Sequence, residues 1–226
     1  MEIEKGYTKL TIPHEGNKIT FQHPAFKGNY ANVAEQLDKA NLKRPDSKET
    51  ASLVYDAWKT PKGEHESEII NILRNNWLWE FTGNLYLPKS NNEINNGVIL
   101  EYNPTIETGK LVMDKNSLIK RLKENDSNVK FVPFGFKTGQ QNLLEFAKNP
   151  YIVTRYGEEG AEKIAEVASN YVKNPVIWSF DSVDEEKVRI SALYDAGGFV
   201  KGLLVGGSDW GGDVDGLAFG VRAKRE

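Results

Sequence analysis

The sequence predicts an α+β protein, and three observations carry that reading. Short β-prone runs open the chain and return in its second half. Between them lie segments whose apolar residues recur three and four positions apart, the spacing of a helix face. The connections are short, with no internal repeat and no long linker, which suits one body over residues 1–226 built by packing helices on a sheet. A second unit, if there were one, would divide near residues 90–130.

The elements follow in order. Residues 8–12 (TKLTI) and 18–21 (KITF) are strand-like, HEGN between them is a turn signal, and Pro24 ends the second run. Residues 29–41 are helical through Tyr30, Val33, Ala34, Leu37 and Ala40. Pro45 stops the chain, and Asp46 or Ser47 then caps a helix to about residue 59 with Ala51, Leu53, Val54, Ala57 and Trp58 as apolar positions. A third helix covers residues 66–75 through Ile69, Ile70 and Leu73. WLWEFTGNLYLP (77–88) is β-prone, either one strand bending at Thr82-Gly83 or a short pair, and NGVILEYNP is a further strand. Residues 117–124 are a short helix. Residues 130–136 are extended, since Pro133 and Gly135 do not suit a helix interior. Residues 142–148 are a turn or two of helix ended by Asn149-Pro150. The clearest helix covers residues 158–172, with Ala161, Ile164, Ala165, Val167, Ala168 and Val172 as its stripe. Acidic residues at its start and Lys173 at its end agree with the helix dipole. PVIWSFDS and KVRISALY are strands. Trp77, Trp79, Phe81, Tyr86, Phe131, Phe134, Phe136 and Trp178 are assigned to the core.

Composition narrows the function. Hydrophobic residues make up 39% of the 226, enough for a packed core. The net charge of -3 gives no electrostatic footprint for nucleic acid. There is no cysteine, so disulfides, thiolate metal sites and cysteine nucleophiles are excluded. No apolar run approaches the roughly 20 residues that span a bilayer, and MEIEKGYTKL lacks a signal-type apolar stretch. The expectation is a soluble protein, virion-associated or displayed at a cell surface.

Chemistry-bearing clusters are sparse. His14, His23 and His65 show no metal-ligand spacing, and each reads as structural or superficial. Asp209, Asp213 and Asp215 lack the further oxygens and the late glutamate of a calcium loop. Glu158-Glu159 reads as helix-start chemistry, and Asp184-Glu185-Glu186 as a turn. No nucleophile elbow and no phosphate-binding glycine loop occurs. No catalytic residue, metal or cofactor is therefore assigned.

The C-terminal stretch from residue 191, SALYDAGGFVKGLLVGGSDWGGDVDGLAFGVRAKRE, is the most distinctive. Glycine and small or acidic residues crowd it, yet Leu203, Leu204, Val205, Trp210, Leu217, Phe219 and Val221 punctuate it. A disordered tail would lack such anchors. Fixed apolar positions around small ones suggest a surface whose side chains can be exchanged without losing the fold. Trp210 reads as an anchor beneath that loop.

This segment resembles the end of a C-type-lectin-like domain, and more narrowly the variable region of diversity-generating-retroelement target proteins. Val205-Gly206-Gly207, Trp210, Gly216-Leu217-Ala218-Phe219 and Gly220-Val221-Arg222 carry the resemblance. Two positions depart from it: Asp209 stands between Ser208 and Trp210, and Val221 replaces the usual phenylalanine. The Glu-Pro-Asn, Gln-Pro-Asp and Trp-Asn-Asp calcium motifs of sugar-binding lectins are absent. The related formylglycine-generating oxidases need cysteines, which this chain lacks. The resemblance implies a C-type-lectin-like fold, with N-terminal helices on a small antiparallel sheet and a variable region at about 191–222. It implies a hypervariable protein that binds a protein or cell-surface ligand. In that family, templated replacement of asparagine codons admits small, acidic, aromatic and aliphatic residues. Tyr194, Asp195, Ala196, Gly197, Gly198, Gly202, Ser208, Asp209, Gly211, Gly212, Asp213 and Asp215 are types it can reach, with Tyr194 as the natural hot spot. Gly206, Gly207, Trp210, Gly216, Phe219 and Arg222 are then the scaffold. The alternative is a metal-dependent carbohydrate binder or enzyme on the same fold, using Asp209, Asp213 and Asp215 with His14 or His23. A third reading makes the tail an assembly contact of a particle.

Overall fold

A computed structural model of the chain describes residues 2–4, 7–61, 63–195, 201–209 and 214–222, with residues 2–4 and 209 described by their backbone. Strands β1 (Glu2–Glu4), β2 (Tyr7–His14) and β3 (Asn17–His23) open it, and the His14/Asn17 turn is the one HEGN signals. β4 (Phe26–Gly28) leads into helix α1 (Tyr30–Lys39), whose start is capped by the Asn29 side chain. α2 (Ser47–Lys59) begins with a full capping box: Asp46 accepts from the Glu49 amide, and Glu49 accepts from the Asp46 amide. α3 (Glu64–Asn75) starts two residues earlier than expected.

β5 (Trp77–Leu87) is one 11-residue strand, buried along almost its whole length. Its dense aromatics have that cause, since both faces are covered. β6 (Gly97–Tyr102) pairs with it. A small hairpin, β7 (Thr105–Glu107) and β8 (Lys110–Val112), was not anticipated; it turns through Thr108 and Gly109, both at positive φ. α4 (Lys115–Lys123), β9 (Val129–Pro133), β10 (Gly139–Gln140) and α5 (Leu143–Ala147) follow.

The helix expected over residues 158–172 is α6 (Pro150–Ala168), eight residues longer at its start. Asn149-Pro150 closes α5 and also opens α6: Asn149 accepts from the Tyr151 amide, and proline fits the first helical position. Gly157, at φ 72°, interrupts the helix just before the expected start. Val172 lies beyond the end of α6 and is 87% exposed, so it is not part of the stripe. β11 (Val176–Trp178), β12 (Lys187–Asp195), β13 (Leu203–Asp209), β14 (Gly216–Ala218) and β15 (Val221–Arg222) complete the chain.

The architecture is mixed α+β, but its sheet is neither small nor purely antiparallel. Nine strands join, in the order β10-β11-β13-β12-β5-β14-β4, with β6 and β9 branching from β5. β11–β13 and β14–β5 are parallel. The length of β5 allows the branch: its first residues pair β14, its last pair β6, and β12 runs along its other edge. A second sheet, β1-β2-β3-β15, is closed by the C-terminal strand. Among the described residues no helix is long and apolar enough to cross a membrane.

Alternation along β5 divides the core. Trp79 and Phe81 meet α1 residues Tyr30, Val33 and Leu37. Leu85 and Leu87 meet Leu118 of α4. Leu78 and Tyr86 point to the other face, where α2, α3, α5 and α6 build the main cluster.

Candidate functional site

The C-terminal segment sits in the middle of the molecule. β13 lies between β11 and β12, β14 lies between β5 and β4, and β15 pairs with β3. Gly220 O accepts from the Gln22 amide at 2.8 Å, while Lys43 and Val221 exchange backbone hydrogen bonds at 2.8 and 2.9 Å. Val221, where phenylalanine was expected by resemblance, is buried in the main core.

The anchor positions have packing reasons. A Cβ on Gly216 would overlap the Trp79 indole, and one on Gly207 would overlap the Tyr151 hydroxyl. Phe219 is 1% exposed, and the Arg222 guanidinium donates to Gln22 Oε1 at 2.9 Å. Trp210 lies outside the described residues.

Beneath the Gly206-Gly207 pair runs a buried polar seam, built from the alternate residues Glu80, Thr82, Asn84 and Tyr86 of β5. The Arg155 guanidinium on α6 pairs with Glu80, and it donates to Gly206 O at 2.7 Å and to Ser47 Oγ at 3.2 Å. The Tyr86 hydroxyl donates to Gly207 O at 2.7 Å. The Tyr151 hydroxyl donates to Asn84 Oδ1 at 2.8 Å, and Asn84 donates to Ser191 Oγ at 2.9 Å. Burial works against the charge on Arg155, but Glu80 beside it prevails and keeps the guanidinium firmly protonated. The seam thus fixes both glycine carbonyls from below. Sequence reading missed it. Its one local signal is the polar residue at every second position of an otherwise aromatic strand.

Above the sheet, one face collects exchangeable positions. Registers Trp178↔Gly206, Ala192↔Gly206, Tyr194↔Leu204 and Ala192↔Trp79 put Trp178, Ser208, Tyr194 and Trp77 on the same side. Tyr194 stacks on Trp77 with ring centroids 3.9 Å apart and planes 28° apart. Trp77 rests in turn on Trp79 at 5.6 Å, and Trp79 meets Tyr30 edge-on at 5.9 Å. The ledge is therefore continuous with the core. Ser208 donates to Trp178 O at 3.2 Å. Trp178 is 55% exposed rather than a core residue, because its neighbour Ile177 takes the inward side.

At the Tyr194 end, Asp195 is half-buried. Burial raises its carboxyl above the usual range, against the pull of Arg74. Among the described residues neither Asp195 Oδ1 nor the Tyr171 hydroxyl finds a hydrogen-bond partner. Asp215, exposed, precedes the Gly216↔Trp77 rung at the same end. Gly202 departs from expectation. It is buried, and a Cβ there would stand 2.8 Å from the Asn174 carbonyl oxygen, so it cannot carry a displayed side chain. Asp209 is the last residue of β13, opposite Ile190. Ala196, Gly197, Gly198, Gly211, Gly212 and Asp213 lie outside the described residues.

The histidines do not meet as a single set. Along β3 the six steps from Asn17, which faces His14, to His23 span about 20 Å at about 3.4 Å each. His14 bonds Ser52 Oγ at 3.0 Å, and burial lowers its pKa. It lines a cleft of about 610 Å³ together with Lys43, Glu49 and Arg222. There the Glu49 carboxyl is pushed up to about 7 by burial and then by Asp46, although Lys43 lies 2.6 Å away and pulls it down. A carboxyl raised in the fold contributes stability below its ordinary value of 4.5 and loses it as pH rises through about 7. Between pH 5 and 8 the melting temperature of the wild-type chain should therefore fall relative to that of Glu49→Gln. Parallel curves for the two proteins would contradict this.

No family model matches the chain, and comparison with curated proteins and with solved structures gives no match.

Proposed function

We propose that this chain is a recognition protein that displays exchangeable side chains from a C-type-lectin-like frame and binds a protein or cell-surface ligand. On this reading no catalytic step is assigned, and the chain acts at a virion or cell surface. One observation carries the reading. The C-terminal segment is woven into the centre of the sheet, while Tyr194, Ser208 and Asp215 reach the surface beside Trp77 and Trp178. A stacked ledge supported from the core loses little side-chain entropy when a partner docks, and paired aromatics with a hydroxyl suit a hot spot. Flanking carboxylates add polar selectivity at the rim.

A displayed library randomised at Tyr194, Ser208 and Asp215 tests this. Most members should melt cooperatively within about 0.5 kcal/mol of the parent, as surface substitutions do. Selection on an immobilised protein target should recover binders whose affinity maps to those three positions. A library that largely fails to fold, or that yields no binder, defeats the proposal.

A further inference from the structure

Among the described residues, His23, His65 and Glu68 are the one group of three side chains placed to share a metal ion: their donor atoms lie within 4.8 Å of one another. His23 ends β3, and His65 and Glu68 lie three residues apart in the opening turns of α3, the spacing that puts two side chains on one helix face. His23 Nε2 already stands 2.7 Å from Glu68 Oε2. The two imidazoles converge, with ring centroids 4.4 Å apart. His65 Nδ1 is buried and has no hydrogen-bond partner, a nitrogen with its lone pair or proton unused.

We propose that these three residues bind a zinc ion, which clips the β2–β3 hairpin to α3. Two imidazoles and a carboxylate are a donor set zinc accepts, and water completes the tetrahedron. Ligands about 2.0–2.2 Å from a zinc ion lie a little over 3 Å from each other, so small rotations of the three side chains suffice. His23 is 13% exposed and Glu68 42%, which leaves the ion a path from solvent. Glu64 and Glu66 add carboxylates to the same helix start, offsetting the repulsion between a cation and the positive end of the helix dipole. His23 also stacks on Phe219 at 6.2 Å. An ion on His23 would therefore fix the ring against Phe219, which packs in the main core, and so steady the C-terminal segment at a second point besides Arg155.

The test uses tag-free full-length protein, stripped with chelator and titrated with zinc chloride. The expected result is one zinc per chain, with a thermal midpoint that rises with zinc concentration. His23→Ala and His65→Ala should each weaken binding about 100-fold or more, since even groups that only orient a metal ligand are worth about 10- to 100-fold. His14→Ala, at the other end of the hairpin, should bind as the parent does. Cobalt(II) in the wild-type chain should give the strong visible absorption of a tetrahedral site, a readout that needs no variant to fold. Absence of bound zinc in the wild-type protein, one zinc retained by both histidine variants, or only the weak spectrum of aqueous cobalt would each overturn the proposal.

Discussion

Arg155→Met is expected to destabilise the chain by about 3–5 kcal/mol, the cost of breaking a fully buried ion pair from one side. The substitution fills similar space but leaves the Glu80 carboxyl enclosed and without its partner, and burial, which already raises it, then drives it to take up a proton. It also strands the Gly206 carbonyl and the Ser47 hydroxyl, both of which accept from the guanidinium. Arg155→Lys should recover little, because an ammonium cannot reach four acceptors as a planar fork does. The double variant Glu80→Leu/Arg155→Met should be more stable than Arg155→Met alone, since no unpaired charge remains in the core. Denaturant midpoints at constant slope measure all three. An Arg155→Met protein within about 1 kcal/mol of the parent, outside the range for buried pairs, would show that the seam does not hold the frame.

Gly207→Ala should cost at least the roughly 1–3 kcal/mol typical of overpacking. The added methyl meets the Tyr151 hydroxyl directly and lies 3.2 Å from that of Tyr86. Neither phenol can swing away freely. Tyr151 is tied to Asn84 and Arg155, and Tyr86 to Ser179 and to the Gly207 carbonyl itself. The alanine therefore strains the backbone at the strand and the seam below it together. The specific check is a double-mutant cycle. In a Tyr151→Phe background, where the blocking oxygen is gone, Gly207→Ala should cost clearly less than in the parent. Equal costs in both backgrounds would mean that the clash is not with Tyr151.

Much of the local structure was legible. The cap at Asp46 or Ser47, the proline stops and the turn between β2 and β3 are signals read within four residues of chain, and the structure chose Asp46 and added Glu49 to complete a box. The first half of α6 was not legible, because Asn149-Pro150 is equally good punctuation for an ending and for a beginning. Trp178 was misplaced for a related reason: a three-residue apolar strand says nothing about which of its residues faces inward. The size of the sheet was missed because strand order depends on pairings between distant segments, and alternation along one strand does not name its neighbours.

The candidate site divides in the same way. Tyr194 and the Gly206-Gly207 pair stood out in the sequence. Trp77 as the ring beneath Tyr194, Arg155 as the clamp beneath the glycines, and the burial of Gly202 did not. Each is a meeting of residues far apart in the chain: 75 positions separate Glu80 from Arg155, and 45 separate His23 from Glu68.

The sequence by itself determined most of the helices, strands and turns, and that the C-terminal stretch keeps apolar anchors among small residues. Those features follow from backbone preference and from the period of hydrophobic positions, which are properties of neighbours in the chain. Only the tertiary structure decided which anchors sit beneath which carbonyls, which aromatic ring reaches solvent, and that two histidines and a glutamate face each other. Such contacts depend on how the elements cross in space, and the free energy that fixes them is shared among residues with no local pattern in common.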